Sequence, residues 1–146
     1  MDTKFSIALH ILVYMNETTD IVTSDLLAKS VGTNASHIRK IIRLLKDADI
    51  VASEQGKKGM RLKAKANELT LNKVYLAVYP AKELLHVHET ANQNCPVGAN
   101  IRTSLLPIFE EAERQLMFNL SDKTLQDLIK DMYIRYEKNK MLEEKE

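Results

Sequence analysis

Residues 23–63 restrict this chain more than any other stretch. They read TSDLLAKSVGTNASHIRKIIRLLKDADIVASEQGKKGMRLK. The pattern predicts two short amphipathic helices around a glycine, then a strand, a Gly-Lys-Lys-Gly tip and a second strand. Ala28 is small enough to let two helices cross closely. Gly32, four residues on, can take a positive-φ turn between them. Ile38, six residues further, can bury its side chain against the first of the pair. That spacing is the helix-turn-helix logic, in which the second helix is offered to the DNA major groove. The hairpin that follows makes the motif a winged one.

Charge falls where such a motif needs it. Residues 33–65 hold nine Lys/Arg against three Asp/Glu, a net of +6. Residues 104–146 hold seven against ten, a net of −3, although the whole chain carries only +1. Phosphate contacts dominate nucleic-acid affinity, so the local balance matters more than the total. A basic stretch alone is as readily a solvated face. On the second helix and wing of a helix-turn-helix, it points to DNA.

The chain of 146 residues suffices for one domain, or one small domain with an appendage. Leu and Ile dominate an apolar fraction of 45%, with few aromatics and little Gly or Pro, which favours an α-rich fold. No run reaches the roughly 18 apolar residues of a membrane helix, and the N-terminus lacks signal-peptide regions. A cytoplasmic location is the simplest expectation. Cys95, the one cysteine, agrees with a reducing compartment.

Apolar spacing predicts a first helix over 3–16, with Phe5, Ala8, Leu9, Leu12 and Met15 inward. Thr23 or Ser24 caps the second helix, whose inner face is Leu26, Leu27 and Val31. Asn34 caps the third, which runs to about Asp47. Its buried face is Ile38, Ile41, Ile42 and Leu45, and its other face shows Ser36, His37, Arg39, Lys40, Arg43 and Lys46. Strands are expected over 50–54 and 60–63. A short helix follows from Thr70, with Leu71, Val74, Tyr75 and Val78 inward, and Pro80 ends it. The expected division is a winged helix-turn-helix domain over 1–79, a connector over 80–97 and a helical dimerisation region over 98–146.

In that last region a long helix is expected from Gly98 to about Asn119, kinked at Pro107. Its stripe is Ile101, Leu105, Ile108, Phe109, Ala112, Leu116 and Leu120. This is more apolar face than one small head can cover, so a two-fold dimer through this helix is expected. Two heads about 34 Å apart would read a pseudo-palindrome. A final helix is expected from Ser121, with Leu125, Leu128, Ile129, Met132 and Tyr136 inward and residues 139–146 frayed. The fold class is mainly α with a small β-hairpin wing.

With these elements in order, the chain resembles the Rrf2 family of bacterial transcription regulators. KFSIALHIL resembles the family's first helix, and LLAKSVGTNASHIRKIIRLLKDADIV its helix-turn-helix and following strand. ELTLNKVYLAV resembles the helix after the wing, and NCPVGANIRTSLLPIFEEAERQL the start of the long dimerisation helix. The resemblance implies a homodimer of winged heads on crossed long helices that represses nearby genes. The family's usual Gly-Gly-Tyr step in the wing is replaced by Gly59-Met60-Arg61. Members that hold an iron–sulfur cluster use three cysteines near the start of the long helix, where this chain has Cys95 alone. One thiol per chain cannot hold a cluster in the usual way. The resemblance is therefore to the cluster-free branch with a lone CPVG cysteine, and no cofactor is expected.

The expected DNA-binding residues are Thr23, Ser24, Asn34, Ser36, His37, Arg39, Lys40, Arg43, Lys57 and Lys58. Arg can pair with guanine and Ser can donate or accept, while others of the set would touch only phosphate or solvent. Cys95, followed by Pro96, stands at or beside a helix N-cap, where a thiolate is favoured. It could sense oxidants or electrophiles; the plainer reading is a partly buried small hydrophobe. His86, His88, Glu89 and Cys95 could together ligate a metal, but their loose spacing fits polar connector residues better. No nucleophile elbow, phosphate loop, HExxH or paired-carboxylate motif is present, so an enzyme is not expected. Glu110, Glu111 and Glu113 read as a solvated face. The expectation is a sequence-specific, homodimeric regulator of double-stranded DNA, with an effector that is a small molecule or a protein. The competing readings are a protein-docking winged helix, and a thiol- or metal-responsive form of the regulator acting through Cys95.

Overall fold

The computed structural model describes residues 2–54, 59–81 and 84–145. The elements are α1 (Lys4–Glu17), α2 (Ser24–Val31), α3 (Ala35–Asp47), β1 (Val51–Ser53), β2 (Met60–Leu62), α4 (Leu71–Val78), α5 (Pro96–Ser121) and α6 (Leu125–Glu144). The two strands are antiparallel, with Val51 opposite Leu62, Ala52 opposite Arg61 and Ser53 opposite Met60. Val22, in the α1–α2 linker, bridges to Met60, whose amide donates to the Val22 carbonyl at 3.1 Å. The wing is thereby tied to the base of the helix-turn-helix.

Local chemistry sets the boundaries of the reader head. Thr23 Oγ1 accepts from the Leu26 amide at 3.2 Å and caps α2. Gly32 sits at φ +84° and lets the chain reverse, while its own amide and that of Thr33 donate to the Ala28 carbonyl. Asn34 Oδ1 then caps α3 by accepting from the His37 amide at 2.8 Å. The far end of α3 closes with Asp49 at φ +63°. Asp49 and Ile50 donate back to the carbonyls of Lys46 and Leu45, the paired bonds of a Schellman motif.

The core lies under this head. Ile11 and Leu12 of α1, Leu27 of α2, Ile38 and Leu45 of α3, and Val74 and Val78 of α4 are sealed from solvent or nearly so. Burying each such side chain is worth about 1.5–3 kcal/mol. Phe5 meets Tyr75 edge-on with ring centroids 5.3 Å apart, and Tyr79 lies 5.0 Å beyond Tyr75. These rings seat α4 on α1.

The tail departs from the sequence expectation in four places. α5 begins at Pro96 rather than Gly98, because proline suits a first turn whose amides have no helical partner. α6 begins after Thr124 rather than at Ser121. Thr124 and Asp127 form a capping box there, and Leu125 and Gln126 donate to the carbonyls of Leu69 and Ala66. α6 continues to Glu144 rather than fraying from residue 139. Met132 and Tyr136, expected inward, are 40% and 59% exposed. The head covers α6 only over its first turns, at Leu125 and Ile129, and leaves the rest of that stripe bare.

Candidate nucleic-acid interface

α3 has two faces of opposite character. Ile38, Ile41, Ile42 and Leu45 are buried. Ser36, Arg39, Lys40 and Arg43 are exposed, and His37 is half-buried. Among the described residues, Arg39, Lys40 and Arg43 have no side-chain partner, so their charges are available to an external anion. Thr23 and Asn34 are exposed at the two helix starts, with their side-chain oxygens already engaged in capping. Ser24 is half-buried at the start of α2. The structure thus gathers Ser36, His37, Arg39, Lys40 and Arg43 on one helix, with Thr23, Ser24 and Asn34 at its flank. Lys57 and Lys58 lie outside the described residues.

Three further basic residues surround this surface and were not in the DNA-binding set expected from sequence. Lys46 Nζ donates to Ser53 Oγ at 2.7 Å and links α3 to the wing. Lys63 Nζ lies 2.5 Å from Asp49 Oδ1. Arg61 is exposed on β2, on the face opposite Met60 and Leu62. The two-residue alternation of a strand is the signal that separates Arg61 and Lys63 from their inward neighbours.

Cys95 is half-buried at the N-cap of α5. Its sulfur makes no cap bond of strict geometry, but the amides of Gly98 and then Val97 lie toward it and favour the thiolate. Its pKa is lowered from the ordinary thiol value by these amides, against a smaller opposing effect of burial. Gly98 has a steric role here. A Cβ at this position would stand 2.1 Å from the Asn92 carbonyl oxygen, so the connector packs directly on the glycine backbone.

Glu113 is not part of a solvated face, as sequence reasoning had it. Its carboxylate reaches back 28 and 29 residues and accepts from the amides of Leu85 and Leu84, at 2.8 and 2.7 Å. Glu110 and Glu111 remain exposed, and Glu111 pairs with Arg114. No periodicity announces such a long-range contact.

A capped helix pair with a glycine turn, a bared basic second helix and a hairpin wing define a winged helix-turn-helix DNA-binding regulator. Residues 1–131 match the Rrf2 family, described as iron-dependent transcriptional regulators. The chain belongs to the Rrf2 family. It is 37% identical over 135 residues to Bacillus subtilis (strain 168) YwnA, an HTH-type transcriptional regulator by name, covering 91% of this chain and 99% of that protein. A crystal structure named as a DNA-binding protein is 34% identical, with a TM-score of 0.66 over 86% of this chain and 98% of that one. A Lactobacillus plantarum structure named as a transcriptional regulator is 25% identical, with a TM-score of 0.72 over 96% and 99% of the two chains. Members of this family regulate transcription and are not enzymes.

The donors present bear on the iron in the family description. An iron–sulfur cluster is held mainly by thiolates, and this sequence has one. Among the described residues, no group of three or more His, Cys, Asp or Glu side chains could hold a metal. This donor set, with His86, His88, Glu89 and Cys95 included, does not fit such a group. Among the described residues, no helix is long and apolar enough to cross a membrane.

Proposed function

We propose that this regulator is a homodimeric repressor that binds a pseudo-palindromic operator through α3. The observation that carries the reading is the set of exposed, unpaired Arg39, Lys40 and Arg43 on the helix that the Gly32 turn presents. Ser36 and His37 stand nearer its start, where recognition helices reach base edges. Thr23, Ser24 and Asn34 would serve mainly to place backbone amides and hydroxyls beside phosphates, with the Lys57 and Lys58 charges as further phosphate partners.

Exposure along α5 supports the dimer. Ile101, Leu105, Phe109 and Leu116 are half-exposed, Ala112 is exposed and Ile108 is 62% exposed. An apolar groove of about 520 Å³ between α1 and α6, lined by Leu9, Val13, Tyr14, Leu128 and Met132, is also open. A second copy laid along these surfaces would remove them from water. Bound across a promoter, such a dimer would exclude polymerase.

The test is a gel shift on the protein's own promoter with Arg39→Ala and Arg43→Ala combined. Binding is expected to be lost while sedimentation still shows a dimer. At low salt, where residual binding can be measured, the logarithmic salt slope should fall by about two units. A variant that shifts the promoter as the wild type does overturns the reading.

A further inference from the structure

We infer that Glu113 is a positioning residue, a latch that fastens the connector to α5 and so holds the head at the angle used on DNA. α4 is the head element packed against α5. The chain leaves α4 at Tyr79 and returns along α5, and both amides at Leu84 and Leu85 donate to the same oxygen of Glu113. Burial does not hold this segment in place, because the side chains of Leu84 and Leu85 are 47% and 39% exposed. Nor does close packing, because cavities of about 360 Å³ toward Tyr75 and Leu76 and about 130 Å³ toward Leu85 and Phe109 flank the carboxylate. Arg114 pairs with Glu111, while Glu113 accepts from the two amides. That charge is also felt at Tyr75 on α4, whose phenol is raised first by burial and then by Glu113. One side chain of the long helix therefore bonds the connector and acts electrostatically on the head at α4. Two charge-assisted bonds on one acceptor break together when that acceptor is removed.

The inference rests on the proposed arrangement of two heads on α5. Its test is amide exchange of the full-length protein, followed by NMR, with DNA binding measured in parallel. In Glu113→Ala the Leu84 and Leu85 amides should exchange at least about tenfold faster, while Ile38, Ile41 and Ile42 stay protected. DNA affinity should fall several-fold with an unchanged salt slope, because the phosphate contacts are the same. Glu113→Gln keeps an acceptor oxygen and should restore most of both readouts. Unchanged exchange at Leu84 and Leu85 in Glu113→Ala overturns the latch, and so does faster exchange with wild-type DNA affinity. The arginine variants test the DNA contact and the exchange rates test the latch, so the two readings fail separately.

Discussion

α3 and α5 are both amphipathic, yet the chain treats them differently. α3, with 13 residues, buries four of them against α1, α2 and the wing. α5, with 26 residues, buries none. The basic face of α3 is left to solvent because its apolar face is fully used. The apolar face of α5 is left partly to solvent because, among the described residues, α4 and the connector cover only part of it. A helix whose inner face is satisfied at home can offer its outer face to a ligand, whereas a helix with an unsatisfied inner face is asking for a partner. The head is thus a finished core, and the proposed dimer would finish one for the long helix.

The sharpest way to break this contrast is to truncate one apolar residue in each region. Leu27→Ala removes a side chain that is 0% exposed and should cost about 2–5 kcal/mol at any protein concentration. Ile108→Ala removes one that is 62% exposed and should cost within about 0.5 kcal/mol in the isolated chain. If a second copy covers α5, the Ile108 cost grows with protein concentration while the Leu27 cost does not. Urea unfolding at two concentrations tells these apart. An Ile108→Ala effect that is large and independent of concentration would show that α5 is already buried within one chain.

The start of α5 offers a second, gentler test, because its order depends on a turn rather than on a core. The depressed Cys95 pKa means that the thiolate persists to lower pH than for an ordinary cysteine. The midpoint of alkylation by iodoacetamide against pH should therefore lie below that of an ordinary thiol. Gly98→Ala would drive a Cβ into the Asn92 carbonyl and turn the amides of Val97 and Gly98 away from the sulfur. The alkylation profile of that variant should move up toward the ordinary thiol. Equal profiles in the two proteins would mean that the turn does not tune Cys95.

The two regions also differ in how much of them could be read in advance. The head was legible because its signals are local: Thr23 and Asn34 precede amphipathic runs, Gly32 stands between them, and Ile38 to Leu45 repeat at helical spacing. The start of α6 lies four residues beyond the expected Ser121 because a tertiary contact chose it, the bridge between Thr70 and Thr124. Glu113 was misread for the same reason, since its partners lie 28 and 29 residues away. The basic surface of α3 was visible in the charge pattern, but its freedom from ion pairs was not, because that depends on where every acidic side chain ends up. Apolar positions in the tail looked alike in sequence; only the fold separates Leu125 and Ile129, which the head covers, from Met132 and Tyr136, which it does not.

The smallest effect tests whether the head is as finished as its core implies. Asp49 adopts φ +63° at the end of α3, a conformation that costs most L residues about 1–2 kcal/mol and aspartate less. Its side chain gains an ion pair with Lys63 at 2.5 Å, but the two side chains are 76% and 47% exposed, so the pair contributes little. Glycine takes the same backbone conformation without strain and keeps both backbone bonds of the Schellman motif. Asp49→Gly should therefore stabilise the protein by up to about 0.5–1 kcal/mol, net of the entropy that glycine adds to the unfolded chain. Thermal unfolding at neutral pH reads this directly. A loss of stability would mean that the contact from Lys63 to Asp49, and with it the seating of the wing against α3, matters more than backbone strain. Asp49, the one strained residue of the head among those described, would then be a fastening for the wing.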